Sequence, residues 1–321
     1  MKTAFLLSGL LALALAPSTA WAEVLAACRA SPPERPARDG LRLEDVVSQP
    51  GDLPAIRATH VSSGAHMLIY YDAASEPAAR ARAACLGAQL GLLEEALDDD
   101  RRDAEWDSVV FTVDPDYAPP RAEGRQSRWS IHLPADGALN EAAERFVSST
   151  MPHELTHDWQ GRYGGRSPRW FHEGHATWVG SIVTAQLDAV TARSEAARHQ
   201  AALADAEPLR LSAWGGVQVK PEAILRQLSP EDRARQLADP SYLPKGPFSF
   251  GPDDMISDES NTPARYAGAL RIFEGLEQRH GAAAVRAWVG EVTAREGRIS
   301  TAHIIASGRE RFGEDLTPLL D

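Results

Sequence analysis

The sequence predicts an α+β chain, a small sheet subdomain followed by a mainly helical one, on three observations. Short β-branched and aromatic runs, several of them alternating in polarity, cluster between residues 61 and 139. From residue 140 onward, Ala- and Leu-rich helical periodicity takes over. Proline and acidic punctuation closes the runs of the first part, as at Asp114-Pro115 and Pro134.

Taken in order, residues 1–22 read as an export signal: Lys2, an apolar run from Phe5 to Ala16, and a small-x-small site at Ala20-Trp21-Ala22. That run is too short to span a bilayer, and no later segment offers 18 uninterrupted apolar residues, so no integral membrane segment is expected. Residues 23–60 read as a loop-rich lead. In the subdomain at 61–139, Ala65–Tyr71 reads as a strand and Glu76–Leu97 as a helix entered through Pro77 and ended by Asp98-Asp99-Asp100. Ser108–Val113 and Ser127–Leu133 read as two more strands, the last an edge strand.

Residues 140–321 read as the helical subdomain. In it, 140–206 carries two long helical stretches, 207–261 is a Pro- and Gly-rich loop, and 262–321 is helical with breaks near Gly281 and Gly297. Pro152 sits inside the first stretch, so either Thr150 caps a fresh helix or a helix from Asn140 kinks there; the composition of Ala142 to Val147 favours the kink. The acids Asp253, Asp254, Asp258 and Glu259 lack the ordered spacing of a Ca²⁺ loop and read as a solvated loop.

Two cysteines, Cys28 and Cys85, remain in an exported chain, which is most simply one disulfide. Leu25-Ala26-Ala27-Cys28 also has lipobox letters, the competing reading being a lipoprotein anchored at Cys28, but Trp21 and Glu23 separate it from the apolar run. The expected location is periplasmic or secreted. A formal charge of −12 makes nucleic acid and anionic membrane poor partners.

The chemistry concentrates in His153-Glu154-Leu155-Thr156-His157, an H-E-x-x-H pentapeptide in helical surroundings. Histidines at i and i+4 share one helical face and one metal ion. Glu154, rotated by roughly 100°, is set to reach the water that such a metal activates. An open catalytic zinc site needs a third protein ligand, and Trp170-Phe171-His172-Glu173-Gly174-His175-Ala176 offers one. The reading is a Zn²⁺-dependent hydrolase.

With Thr177 and Trp178 added, this second segment resembles the W-[LF]-x-E-G-x-A-[ST]-[YW] signature of gluzincin metallopeptidases, in particular the peptidase MA-like and aminopeptidase-like branches. The resemblance covers residues 140–180, and more weakly the C-terminus. It implies a gluzincin-like fold, a peptide or protein substrate, His153, His157 and Glu173 as zinc ligands, and Glu154 as general base. The edge strand at 127–133 matches the one that lines gluzincin clefts. Arg265-Tyr266-Ala267-Gly268 resembles a shortened Y-x-K-G segment, which implies Tyr266 as donor to the oxyanion; Gly268 would let its helix approach the metal helices. The Lys is missing, and a helix-packing Tyr is the alternative. The Gly-x-Met-Glu-Asn segment of gluzincin aminopeptidases is absent, which favours endopeptidase action.

His172 and His175 point roughly 100° and 200° away from Glu173 on a helix, which disfavours them as co-ligands; His175 reads as a structural histidine. Asp158 could orient an imidazole but reads as a solvated carboxylate. Trp159, Trp170 and Trp178 are expected to pack the two metal helices together. Two further readings stand beside the peptidase: a zinc amidase on a cell-wall or other non-protein amide, and a zinc-stabilised, pseudo-enzymatic binding protein.

Overall fold

A computed structural model of the chain describes residues 40–46, 53–99, 101–117, 128–162, 167–204, 206, 208–238, 242, 245–295, 297 and 299–320. The expected export signal, the Pro-rich segment at 31–36 and Cys28 lie outside the described residues. Cys85 is buried and disulfide-bonded, not free; its expected partner is Cys28. The fold is α+β. A small mixed sheet precedes a mainly helical region, and the chain divides into two compact units, one holding the sheet and the other built mainly from Glu141 onward, together with Leu92–Asp100.

In the sheet unit, strands β1 (Leu41–Val46), β2 (Ala55–His60), β3 (His66–Tyr71), β4 (Ser108–Thr112) and β5 (Arg128–His132) lie side by side in chain order. The pairs β1–β2 and β2–β3 are antiparallel; β3–β4 and β4–β5 are parallel. Helix α1 (Glu76–Leu97) connects β3 to β4. Met67, Ile69 and Tyr71 alternate inward from β3, and every residue of the interior strand β4 is buried. At the start of α1, the Asp72 carboxylate accepts from the Ser75 amide and hydroxyl and from the Val113 amide at 2.7–2.9 Å, which ties the helix entry to the end of β4.

The expected loop-rich lead at 23–60 is corrected here, since β1 and β2 fall in it. Their sequences, Leu-Arg-Leu-Glu-Asp-Val and Ala-Ile-Arg-Ala-Thr-His, carry charges and alanines that mask strand propensity. Cross-strand pairing with β3 and cover from α1 decide the outcome instead. Gly87 of α1 has no side chain because one would meet Leu41 Cδ1 at 2.4 Å and Ala58 Cβ at 3.0 Å. The strand expected at the edge, β5, is terminal in the sheet.

The helical unit opens with α2 (Glu141–Arg145), a π-helical turn (Phe146–Thr150) and α3 (Met151–Gly161). Thr150 is helical and makes no side-chain cap, so a single helix runs from Glu141 and changes register before Pro152. A proline at 152 cannot donate to the Ser148 carbonyl, and that carbonyl accepts instead from the Thr184 hydroxyl at 2.9 Å.

Helix α4 (Arg169–Leu187) follows, then α5 (Ala189–Ala204), the two separated by the extended Asp188, which breaks the single stretch expected there. The expected loop at 207–261 also holds structure: α6 (Pro221–Gln227), α7 (Pro230–Ala238) and a short antiparallel pair, β6 (Val217–Val219) with β7 (Met255–Ser257). Three of its four acids are ion-paired, Asp254 with Arg226, Asp258 with the buried Arg265 at 2.7 Å, and Glu259 with Arg169, while Asp253 is exposed as expected. Helices α8 (Thr262–His280), α9 (Ala282–Thr293) and α10 (Thr301–Phe312) complete the chain, broken at Gly281 and near Gly297, both at φ +83°. No helix among the described residues is long and apolar enough to cross a membrane.

The core of this unit is aromatic. Phe171, Trp178, Phe273 and Trp288 meet with ring centroids 5.3–6.0 Å apart, drawing α4, α8 and α9 together. Trp170 and Trp178 therefore do not clamp α3 to α4. They face the C-terminal helices, where Trp170 Nε1 donates to Thr301 at 3.2 Å and Trp178 Nε1 to Glu277 at 2.7 Å. Trp159 does sit between the metal helices, against His175.

Candidate metal centre

His153 and His157 stand one turn apart on α3, and Glu173 stands one turn into α4. Glycine sets the distance between these helices. A side chain at Gly180 would come within 3.2 Å of the His153 backbone nitrogen, so its absence lets α4 lie against the first histidine. His153 Nε2, His157 Nε2 and Glu173 Oε2 then converge: the two nitrogens are 3.0 Å apart, and the carboxylate oxygen is 3.3 and 3.1 Å from them. Among the described residues this is the group of His, Cys, Asp and Glu arranged to hold a metal ion. The edges match the roughly 3.3 Å between ligand atoms of a tetrahedral zinc site with bonds of about 2.0–2.1 Å.

The hydrogen bonds on the far side of each imidazole assign its tautomer. The Thr177 hydroxyl donates to the Glu173 carbonyl at 2.7 Å, so toward His153 it can only accept, from Nδ1–H at 3.3 Å. His157 Nδ1 donates to Gln160 Oε1 at 2.6 Å. The Gln160 amide orientation follows from its other contacts: its nitrogen donates to the His172 carbonyl and to His175 Nδ1, both at 3.0 Å. With both Nδ1 atoms acting as donors, both Nε2 lone pairs aim at the shared centre.

Electrostatics agree with a centre built for positive charge. Burial would raise the Glu173 carboxyl, but the two imidazoles beside it outweigh burial and hold the group well below the usual carboxylate range. Burial dominates at His153 and lowers its pKa; at His157 the Glu173 carboxylate overcomes burial and raises it.

The two neighbouring histidines are accounted for. Burial, with the nearby His157, takes His172 down to about 4; its ring stacks on His157 at 4.2 Å and 8°. His175, buried against Trp159, Trp178 and Phe273, falls to about 3 through burial and stays neutral, able to accept from Gln160. Asp158 pairs with Arg162. The groups that orient the ligands, Thr177 and Gln160, went unread in the sequence. Their spacing was the available signal: Thr177 lies four residues after Glu173, and Gln160 three after His157.

A cavity of about 660 Å³ adjoins the centre, walled by His153 and Glu154 of α3, Tyr266 of α8, and Ala192, Glu195 and His199 of α5. Tyr266 lies 5.9 Å from the His153 ring, centroid to centroid, within the fields of Glu173 and Arg169. Burial, with the Glu173 charge, pushes the phenol up to about 12. The role expected of Gly268 is corrected: its open side faces Leu209 and Leu211. The close approach of α8 to α4 is made by Gly174, where a side chain would meet Phe273 at 2.9 Å and the Ala269 carbonyl at 3.1 Å.

Arg169, one turn before Glu173, also went unread. Its Nε lies 3.6 Å from Glu173 Oε1, its guanidinium pairs with Glu259, and Cζ sits 4.9 Å above the Trp214 ring. No family model matches this chain, and no curated protein matches it either.

Proposed function

We propose that this chain is an exported zinc metallopeptidase of the gluzincin kind, which cleaves within peptides rather than from their N-termini. The observation that carries the reading is the convergence of two Nε2 lone pairs and one carboxylate oxygen at tetrahedral spacing, beside a cavity that also holds Glu154. Bound there, zinc would polarise the scissile carbonyl and lower the pKa of a coordinated water to about 7.

The chain's own residues do the rest. Glu154 adjoins the ligands without joining them, so its carboxylate takes the proton as water adds to the carbonyl carbon. It then delivers that proton to the amine nitrogen as the C–N bond breaks. Tyr266, protonated at neutral pH because its phenol is shifted up to about 12, keeps an O–H to donate as charge develops on the carbonyl oxygen. Thr177 and Gln160 hold the imidazoles in the ligating tautomer throughout.

Zinc analysis with a peptide-library digest tests this. The wild-type chain should carry one zinc, and a His153→Ala, Glu173→Ala double variant should lose it. Glu154→Gln should keep zinc yet lose at least about 10²-fold in turnover. Full zinc retention in the double variant, or an active Glu154→Gln protein, would reject the reading.

A further inference from the structure

The segment between α5 and α8 builds a bracket around one side chain. Gly215 takes φ +70°, and a side chain there would meet Arg169 Cδ at 2.8 Å, so the loop is shaped to the arginine stem. Trp214 lies under the guanidinium, and Tyr266 packs edge-on against the same indole at 5.0 Å. The backbones of Gly215 and Asp258 are joined by a 3.1 Å hydrogen bond, which brings Glu259 to the guanidinium. Arg265, nearly fully buried, secures this join by donating to the Leu209 and Asp258 carbonyls and to the Asp258 carboxylate at 2.7–2.9 Å. So much fixed structure around one exposed-edge arginine calls for a function at the arginine's free end.

That end reaches the centre from the side opposite the imidazoles. Glu173 has two oxygens: Oε2 meets His153 and His157, while Oε1 faces Arg169 Nε. The same guanidinium shares the Trp214 indole with the Tyr266 ring, and the Tyr266 phenol lies within the fields of both Glu173 and Arg169.

We propose that Arg169 is a positioning residue that fixes the rotation of the Glu173 carboxylate and the aim of the Tyr266 hydroxyl, with the Trp214–Gly215 and Asp258–Glu259 segments as its mount. The proposal rests on the metal-centre reading and extends it to the segment at 207–261. A planar fork is required, because one group must serve Glu173, Glu259 and Tyr266 while stacking on an indole; an ammonium at the end of a lysine has neither the plane nor the reach in several directions.

The test is zinc affinity, measured by competition with a chromophoric chelator, alongside peptide turnover. Arg169→Ala should weaken zinc binding by about 10- to 100-fold, the usual effect of losing a group that orients a ligand. In Arg169→Ala at saturating zinc, kcat should fall with little change in KM, and added guanidinium ion should restore part of both properties. Arg169→Lys should recover less than half of the affinity loss on a logarithmic scale. Glu259→Gln, which removes only the outer anchor, should fall between wild type and Arg169→Ala and keeps the question answerable if the alanine variant misfolds. Zinc affinity within twofold of wild type in Arg169→Ala and Glu259→Gln, or a folded Arg169→Ala protein that guanidinium ion does not rescue, would overturn the proposal. A wild-type chain that binds no zinc would instead reject the metal centre itself.

Discussion

Helices α4 and α5 are consecutive, both wall the cavity beside the candidate metal centre, and are held in contrasting ways. Helix α4 buries 12 of its 19 residues; α5 buries none of its 16. The wall that carries Glu173 is embedded in the aromatic core. The inward stripe of α5 (Ala192, Glu195, Ala196, His199, Leu203), spaced as one helical face, lines the cavity instead of filling a core.

Polar contacts at its start and on its inward face help to secure α5. Asp188 caps it by accepting from the Val190 amide at 2.9 Å and the Thr191 hydroxyl at 2.7 Å, and Glu195 takes a two-point bond from Arg145 at 2.5 and 2.9 Å. The lesson is a division of labour. Ligand geometry needs tight packing, because displacement of a ligand atom disrupts the site, while a cavity wall next to it can stay marginally stable.

The same substitution in the two helices gives the sharpest test. Leu187 is fully buried at the end of α4, so Leu187→Ala should cost about 2–5 kcal/mol in denaturant titration. Leu203→Ala in α5 should cost less than about 1 kcal/mol, as for a partly exposed site. Equal costs would erase the contrast.

A smaller effect is expected at Gly174. Alanine favours a helix by up to about 1 kcal/mol over glycine. Here, however, the new methyl would press on Phe273 and on the Ala269 carbonyl, and overpacking of this kind costs about 1–3 kcal/mol. A net loss of stability in thermal unfolding is the expected outcome, and a gain would show that α4 and α8 can separate freely.

The smallest effect on global stability belongs to Glu195→Gln. Its unfolding midpoint should be nearly that of wild type, since partly exposed ion pairs contribute little. Amide hydrogen exchange across 189–204 should nevertheless speed up by about tenfold while α4 is unchanged. Exchange that stays level in α5, or rises equally in α4, would mean that the two helices open as one.

Legibility in the sequence followed the range of the interactions. Helix α1 was readable because Ala, Leu, Pro77 and the terminal acids act locally, whereas β1 and β2 were hidden because their strand character comes from partners in β3 and α1. The His153/His157 pair was visible in the i, i+4 spacing. Glu173 and Tyr266 were singled out only through a resemblance, and the fold brings them to the same centre as the histidines. The pairing of Asp254 and Glu259 was hidden because their arginines, Arg226 and Arg169, are distant in sequence.

By itself, the sequence determined that His153 and His157 share one face with Glu154 beside them, because one turn of helix decides that arrangement whatever surrounds it. Only the tertiary structure decided how those side chains are held. Gln160 orients His157 while braced by His175 and the His172 carbonyl, Thr177 reaches His153 across a helix interface, and Arg169 faces the spare oxygen of Glu173 from a mount assembled out of residues 209–216 and 258–265. The reason is physical. A hydrogen bond or ion pair between helices needs both partners within about 3–4 Å, and a distance across an interface is set by packing at Gly174 and Gly180, which no local pattern encodes.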